Sequence, residues 1–244
     1  MNEIVAETAP DAPDTLGASA SSPDLVVSAI ERGILYGRFV PGQRLIEADL
    51  TRDLKVSRGP VREALKRLAA EGVVALTPRR GAYIRALTRS EVLDLLQVLQ
   101  AIMRLAVGMA AARIRRDRRL KTHGYAEKLA NAYELLKSQG ASGDRVLQSI
   151  ARTRFYDAIL EIAGNRELVR INPVVPTQIL RMQVHSFLPP QTHQRQFDDY
   201  QRLYNALIAG DPKQAKWVVS LHIRRSRIQM LHLSDEAFAP TQEN

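Results

Sequence analysis

The sequence contains no cysteine, few aromatic residues and no long apolar run. Without cysteine it can form no disulfide, no thiolate metal site and no cysteine nucleophile. Aromatic residues make up only 5% of the chain, which disfavours an all-β sandwich or barrel because those folds are rich in β-branched and aromatic side chains. No stretch approaches 18 uninterrupted apolar residues, so the sequence predicts no membrane-spanning helix. The N-terminus lacks the basic region and apolar core of a secretory signal, and we expect a cytoplasmic protein.

Acidic residues are outnumbered by basic ones, and the formal net charge is +9. The excess is denser in residues 23–88, which contain 12 Lys and Arg against seven Asp and Glu. A basic protein favours polyanionic partners because neutralising phosphates releases their condensed counterions. Composition alone is equally consistent with a basic soluble protein that has no such partner.

Familiar catalytic motifs are also missing. The sequence has no G-x-S-x-G, no Walker sequence and no H-E-x-x-H. The acid pair Asp198-Asp199 is adjacent in sequence, so its two carboxylates point to different faces of a helix. We therefore predict that the chain is not an enzyme.

The hydrophobic pattern divides the chain into four parts and predicts a mainly α fold. Residues 1–22 are rich in Ala, Pro, Ser and Asp and are predicted to be a disordered tail. Residues 23–88 form a first domain, residues 89–234 a second, and residues 235–244 a C-terminal tail. Apolar residues of the second domain recur at spacings of three and four, typical of amphipathic helices. We predict an antiparallel all-α bundle of about six helices there.

Residues 23–88 predict a winged helix-turn-helix. Helices are expected at about 25–36, 47–54 and 57–68, followed by strand-like segments at 73–77 and 82–85. Ser57 is a suitable N-cap for the third helix. One face of that helix is apolar, and a second stripe presents cations at i, i+4 and i+8: Arg58, Arg62 and Lys66. The two strands are joined by a basic tip with a glycine, residues 78–81, which can reach phosphates or a minor groove.

These residues resemble a known family. Residues 41–45 (PGQRL), 56–65 (VSRGPVREAL) and 71–73 (EGV) are similar to the GntR-family DNA-binding domain. The helical remainder, with residues 163–165 (AGN) and 206–211, resembles the FadR-type effector (FCD) domain. The resemblance implies a sequence-specific transcriptional regulator, most often a repressor. It also implies a homodimer whose two reading heads bind palindromic half-sites on double-stranded DNA, about one helical turn apart.

The resemblance also implies which residues touch DNA. Arg58 and Arg62 match recognition-helix arginines that contact bases and phosphates, and Ser57 matches a phosphate-binding hydroxyl. Ala48 stands where some relatives have a further DNA-contacting arginine, so that contact is predicted to be absent. The predicted DNA-binding set is Ser57, Arg58, Arg62, Lys66, Arg79, Arg80 and Gly81.

Many domains of the FadR type hold a divalent metal through one Asp and three His, and this sequence departs from that pattern. The D-x-x-x-H motif falls on Arg152 and Tyr156, and the next histidine falls on Tyr200. Only His222 keeps a ligand type, so we predict no bound metal and no cofactor. We expect instead a small-molecule effector, a carboxylate or other anion, bound directly by a pocket composed of Gln100, Arg104, Arg152, Tyr156, Arg181, Tyr200 and His222.

An alternative remains open for the same residues. They could pair with internal carboxylates in a collapsed core that binds no ligand, the candidates being Asp157, Glu161, Asp198 and Asp199. An internal arginine is costly unless it is paired, so either a ligand or such a partner is required. Under this alternative the protein would be a ligand-independent regulator or an architectural DNA-binding protein.

Overall fold

The computed structural model describes residues 21–120, 123–140 and 144–240. These residues form ten α-helices and one three-stranded sheet. The predicted fold class, a winged helix-turn-helix followed by a helical domain, is confirmed. Residues 1–20 of the predicted N-terminal tail and residues 241–244 lie outside the described residues.

The N-terminal domain contains three helices and the whole sheet. The elements are α1 (Ser22–Leu35), β1 (Arg44–Leu45), α2 (Glu47–Leu54), α3 (Arg58–Ala70), β2 (Val74–Thr77) and β3 (Gly81–Ile84). The strands are antiparallel in the order β1-β3-β2, with Arg44 opposite Tyr83 and Thr77 opposite Gly81. The strand β1 was not predicted, because two residues are too few to show an alternating pattern.

The first helix begins earlier than predicted, so Ser21 and Ser22 do not belong to a tail. Ser21 is the N-cap: its hydroxyl accepts from the backbone N–H of Asp24, and the Asp24 carboxylate accepts from the backbone N–H of Ser21. Arg67 of α3 donates to the same carboxylate at 2.5 Å. The Ser21 hydroxyl and the Arg67 guanidinium lower the pKa of Asp24 to about 2. The stability that the Asp24 carboxylate gains from Ser21 and Arg67 is therefore present above the ordinary carboxyl pKa and is lost as the pH falls toward 2.

The C-terminal domain contains seven helices among the described residues, not six. They are α4 (Arg89–Leu120), α5 (Tyr125–Gly140), α6 (Arg145–Ala163), α7 (Arg166–Ile171), α8 (Val174–Val184), α9 (Pro190–Ile208) and α10 (Pro212–His232). The unpredicted helix is α7, which has only six residues. Asn165 caps it by accepting from the N–H groups of Glu167 and Leu168.

The long helix α4 packs against most of the other helices of its domain. Among the described residues it is the one helix long and apolar enough to cross a membrane by length and composition, with a mean hydropathy of 1.6 over an 18-residue window. The sequence predicted no membrane-spanning helix because no apolar run is uninterrupted for 18 residues. In α4 the apolar run is interrupted by Arg104. The helix is apolar on its packed side, where Met103, Ala106, Val107 and Ala110 are at most 1% exposed.

The predicted C-terminal tail is also partly packed. We call residues 234–240 the C-terminal segment. A 3₁₀ turn over Asp235–Ala237 leaves Ala237 2% exposed. The backbone N–H of Ala239 donates to the carbonyl of Leu87 at 3.0 Å, and the guanidinium of Arg89 lies over the Phe238 ring at 4.4 Å. The segment therefore covers the junction between the two domains.

Replacing Gly164 with alanine is expected to lower the free energy of unfolding by about 1–2 kcal/mol. Gly164 ends α6 with a φ of +64°, and an added Cβ would overlap the guanidinium of Arg113. Urea unfolding followed by circular dichroism measures the change. Gly59→Ala in α3 is the matched control, because nothing lies within 4 Å of its added Cβ. A loss of stability in the control equal to that of Gly164→Ala would contradict the prediction.

Candidate functional site

The helix α3 has one packed face and one basic face. Val61, Ala64, Leu65 and Leu68 are at most 2% exposed, and α3 packs against α1, α2 and β2. The cations predicted on the opposite stripe, Arg58, Arg62 and Lys66, are all exposed. Ser57 occupies the N-cap position, but its side chain makes no capping hydrogen bond. Ser57 is exposed, and its hydroxyl leaves the first N–H groups of α3 without a side-chain cap.

The three cations are not equivalent. The Nε of Arg62 donates to the Glu47 carboxylate of α2 at 3.0 Å. Within the described chain, neither Arg58 nor Lys66 has a carboxylate oxygen within 4.0 Å. Ala48, where some relatives have an arginine, follows Glu47 on α2 and is exposed.

The tip of the hairpin between β2 and β3 adds further cations beside this surface. Arg79 has a φ of +64° at the turn, and the backbone N–H of Arg80 donates to the Thr77 carbonyl at 3.1 Å. A Cβ added to Gly81 would lie 3.8 Å from the guanidinium of Arg44 in β1. Arg44 is thus a basic residue of the tip that our sequence analysis missed, although it lies inside the PGQRL motif.

A cavity of about 110 Å³ lies inside the C-terminal domain. Five of the seven predicted pocket residues line it: Arg152, Tyr156, Arg181, Tyr200 and His222. Gln100 and Arg104 do not. The α4 residues that line the cavity are Leu96, Leu99 and Met103. Arg104 instead lies exposed on α4 and donates to the Ser220 hydroxyl at 3.1 Å.

Two buried polar atoms on the cavity wall lack a hydrogen-bond partner among the described residues. They are Oγ1 of Thr177 on α8 and Oε1 of Gln196 on α9. Our sequence analysis did not predict either residue, since neither falls on a family motif. Buried polar groups are nearly always satisfied by protein, water or ligand, so these two atoms are candidates for a further hydrogen bond.

The two cavity arginines are short of anionic partners. Arg181 donates to the Thr153 hydroxyl at 3.1 Å. Within the described residues, neither Arg152 nor Arg181 has a carboxylate oxygen within 4.0 Å. Burial lowers the pKa of Arg181, and the neighbouring Arg152 cation also lowers it. The Asp157 carboxylate and two nearby phenols act in the opposite direction and raise it. Burial also raises the pKa of the Tyr156 phenol well above its ordinary value.

His222 differs from the arginines because it has an internal carboxylate partner. Asp199 is 4% exposed and accepts from Nδ1 of His222 at 3.3 Å and from Arg225 at 2.8 Å. Burial alone would raise the pKa of Asp199, but His222 and Arg225 together lower it. The alternative of internal pairing therefore applies to His222. Asp157 also lines the cavity and interacts electrostatically with Arg181, but in the described structure its carboxylate lies more than 4.0 Å from both Arg152 and Arg181.

Comparison with known proteins identifies both domains. Residues 24–84 match the model of the bacterial regulatory proteins of the gntR family, and residues 94–225 match the FCD domain. The chain belongs to the GntR family. It is a DNA-binding transcriptional regulator of the FCD type and not an enzyme.

Similar regulators come from several bacteria. A Paenarthrobacter nicotinovorans protein named "Probable D-xylose utilization operon transcriptional repressor" is 26% identical over 78% of this chain and 80% of its own length. The Bacillus subtilis regulator LutR is 25% identical over 78% of this chain and 92% of its own. Escherichia coli McbR/YncC has the same fold, with a TM-score of 0.73 at 19% identity over 87% of this chain and 98% of its own.

The residues of this GntR-family regulator do not fit the metal that many FCD domains hold. Three of the four ligand positions are Arg152, Tyr156 and Tyr200, and all three line the cavity. A guanidinium repels a cation, and neutral phenols are not among the usual ligands of divalent metals. The fourth position, His222, is hydrogen-bonded to Asp199.

The helix α8 joins the cavity to the DNA-binding domain of the regulator. Thr177 and Arg181 line the cavity, while Gln178 donates to the carbonyl of Leu35 at the end of α1, at 3.4 Å. Gln183 binds both backbone groups of Leu87, accepting from its N–H and donating to its carbonyl at 2.8 Å each. Gln183 also donates to the carbonyl of Ala237 at 2.9 Å. The helix α8 therefore contacts the cavity, α1, the C-terminal segment and the linker between the two domains, residues 85–88.

Proposed function

We propose that this regulator is a cytoplasmic, homodimeric repressor controlled by a small organic anion, a carboxylate in the first instance. The observation that supports the effector most directly is the pair Arg152 and Arg181, which line a cavity and have no carboxylate within 4.0 Å among the described residues. Internal charges are costly unless paired, so a bound anion would supply the missing partner. The repressor role is supported by relatives named repressors.

On DNA, α3 is the proposed reading helix and the hairpin tip the proposed wing. Arg58 and Arg62 would contact base edges in the major groove, where arginine recognises guanine through two hydrogen bonds. Lys66 and the tip residues Arg79, Arg80 and Gly81 would contact the backbone or the minor groove. Ser57 and the N-terminus of α3 would bind a phosphate, since the first N–H groups of a helix attract anions.

A second copy of the chain is the proposed partner of α4 and α10. These helices are adjacent, with Arg104 beside Ser220 and Gly108 beside Lys216. On the same two helices Leu105 and Trp217 are 49% and 55% exposed. Large exposed apolar side chains on neighbouring helices are typical of an interface. A palindromic operator would then match the two-fold symmetry of the dimer.

The direct test is a thermal-shift screen of carboxylates against the purified chain, followed by DNA-binding measurements with each carboxylate that raises the melting temperature. Effector binding to the folded state raises that temperature by mass action. A carboxylate that both stabilises the protein and changes its affinity for DNA supports the proposal. Stabilisation without any change in DNA affinity, or no stabilisation by any carboxylate, supports the ligand-independent alternative.

Replacing Gln183 with glutamate is expected to separate effector binding from DNA release. A glutamate carboxylate cannot donate to the carbonyls of Leu87 and Ala237, so α8 keeps only the hydrogen bond from the Leu87 N–H and loses the other two. An effector bound in the inner cavity should still bind, because Gln183 does not line that cavity. The factor by which the effector changes DNA affinity, typically about 5- to 150-fold, should fall toward one. Gln229→Glu is the matched control, because its amide donates to Thr192 within the C-terminal domain. An unchanged factor in Gln183→Glu would rule out transmission through this contact.

A further inference from the structure

A second cavity lies between the two domains and is larger than the first. Its volume is about 460 Å³, against about 110 Å³ for the inner cavity. Val40 and Pro41 line it from the DNA-binding domain, and Met182 and Phe187 line it from the C-terminal domain. The C-terminal segment closes a third side through residues 236–239.

The two cavities share a charged wall. Arg152 and Arg181 line both of them. A guanidinium has five N–H donors, and the one hydrogen bond found for Arg181 in the described structure goes to Thr153. Each arginine therefore keeps donors that an anion can reach from the interdomain side. Glu236 is exposed and also lines this cavity, so an anionic group is favoured at the arginine wall and not beside the C-terminal segment.

The volumes set the size of ligand that each cavity can take. Sites for small molecules usually measure roughly 300–1,000 Å³. The inner cavity, at about 110 Å³, is below that range, and the interdomain cavity, at about 460 Å³, is within it. A compact anionic group fits the inner cavity. A larger apolar body fits only between the domains, where Val40, Phe187 and Met182 supply apolar surface.

We propose that the interdomain cavity binds an amphipathic carboxylate, with its anionic group held by Arg152 and Arg181 and its apolar body between the domains. Such a ligand would touch the DNA-binding domain at Val40 and Pro41 and the C-terminal domain at Phe187. It would therefore favour one arrangement of the two domains directly. This inference rests on the proposed function in one respect only, that the two guanidinium groups bind a carboxylate.

The lack of cysteine permits a site-specific test. Val40→Cys places one thiol on the wall of the interdomain cavity, at a position that is 42% exposed. The probes are acetate and 2-naphthylacetate, which share a carboxymethyl group and differ in the apolar body. Alkylation by N-ethylmaleimide reports occupancy of the interdomain cavity, and calorimetry reports binding to the whole chain. Val169→Cys on α7, 54% exposed, is the control outside both cavities.

We expect 2-naphthylacetate to slow alkylation of Val40→Cys by about fivefold or more and acetate to leave it unchanged, with no effect at Val169→Cys. Adding Arg181→Met should abolish the protection. Calorimetric binding of 2-naphthylacetate without protection of Cys at position 40 would overturn the interdomain site and leave the proposed function standing. Protection that survives Arg181→Met would overturn the arginine anchor. If 2-naphthylacetate does not bind, the interdomain site for an amphipathic carboxylate is overturned, while the proposed effector is decided separately by the carboxylate screen.

Discussion

Arg58→Ala is expected to weaken binding to the operator by about 5- to 150-fold, which corresponds to the roughly 1–3 kcal/mol of one bidentate arginine–guanine contact. Arg58 is exposed on the basic face of α3 and has no carboxylate within 4.0 Å in the described chain. It can therefore bind a base edge without first breaking an ion pair. Arg62→Ala should cost less, because Arg62 must share or leave the Glu47 carboxylate 3.0 Å away. An exposed pair of this kind is worth about 0–1 kcal/mol.

The measurement is fluorescence anisotropy with two duplexes, one selected by the wild-type protein from a random pool and one of unrelated sequence. A residue that reads a base loses affinity for the selected duplex only. Replacing a residue that contacts a phosphate lowers the affinity of the protein for both duplexes and reduces the slope of log affinity against log salt concentration by about one. Arg195→Ala on α9, an exposed arginine of the other domain, is the control. If Arg58→Ala binds the selected duplex with wild-type affinity, Arg58 does not contact a base of the operator.

The DNA-binding domain could be predicted almost entirely because its signals are local. The period of the apolar residues in α3, the Ser57 cap position and the Gly81 turn each depend on a few neighbouring residues. The two misses there were the strand β1, with two residues, and the start of α1. The capping box of Ser21 and Asp24 was present in the sequence, but it lay in a segment whose composition favoured disorder.

The C-terminal domain was harder because tertiary packing decides its details. The helix α7 is shorter than two turns, and only its Asn165 cap signals it. Residues 235–240 have no periodic pattern, and they are ordered by contacts with Leu87 and Arg89 far away in sequence. Their tail assignment was therefore wrong, for a reason that composition cannot reveal.

The residues predicted for the inner cavity divide into those that line it and those that do not. Arg152 and Tyr156 are four residues apart, so one face of α6 brings both to the cavity, and the family spacing predicted this correctly. Gln100 and Arg104 were placed by the same reasoning on α4, but Leu99 and Met103 face the cavity instead. A shift of one residue rotates a helical position by about 100°, which is enough to move a side chain from a cavity to the surface. The interdomain cavity had no signal in the sequence, because both domains and the C-terminal segment form it together.

Arg181→Met is expected to stabilise the free protein and to abolish its response to the carboxylate effector. Arg181 is partly buried in the C-terminal domain, donates to Thr153 and has no carboxylate within 4.0 Å in the described structure. Methionine has a similar length and no charge to desolvate. The free energy of unfolding should rise by about 1 kcal/mol, equivalent to about 2–4 °C in melting temperature for a chain of this size.

The same substitution should remove the thermal shift that the carboxylate produces in the wild-type protein, because the anion loses one of its two guanidinium partners. The opposite signs of the two effects distinguish a binding residue from a structural one, since removing a structural arginine lowers stability. One thermal-shift titration measures the melting temperature of the free protein and its rise with the carboxylate. The control is Arg154→Met, at an exposed arginine on α6, which should change neither the stability of the free protein nor its stabilisation by the carboxylate by more than about 0.5 kcal/mol. A fall in the melting temperature of the free Arg181→Met protein would instead indicate that the free chain supplies an internal partner for this guanidinium. That result would favour the ligand-independent regulator over the effector-controlled one.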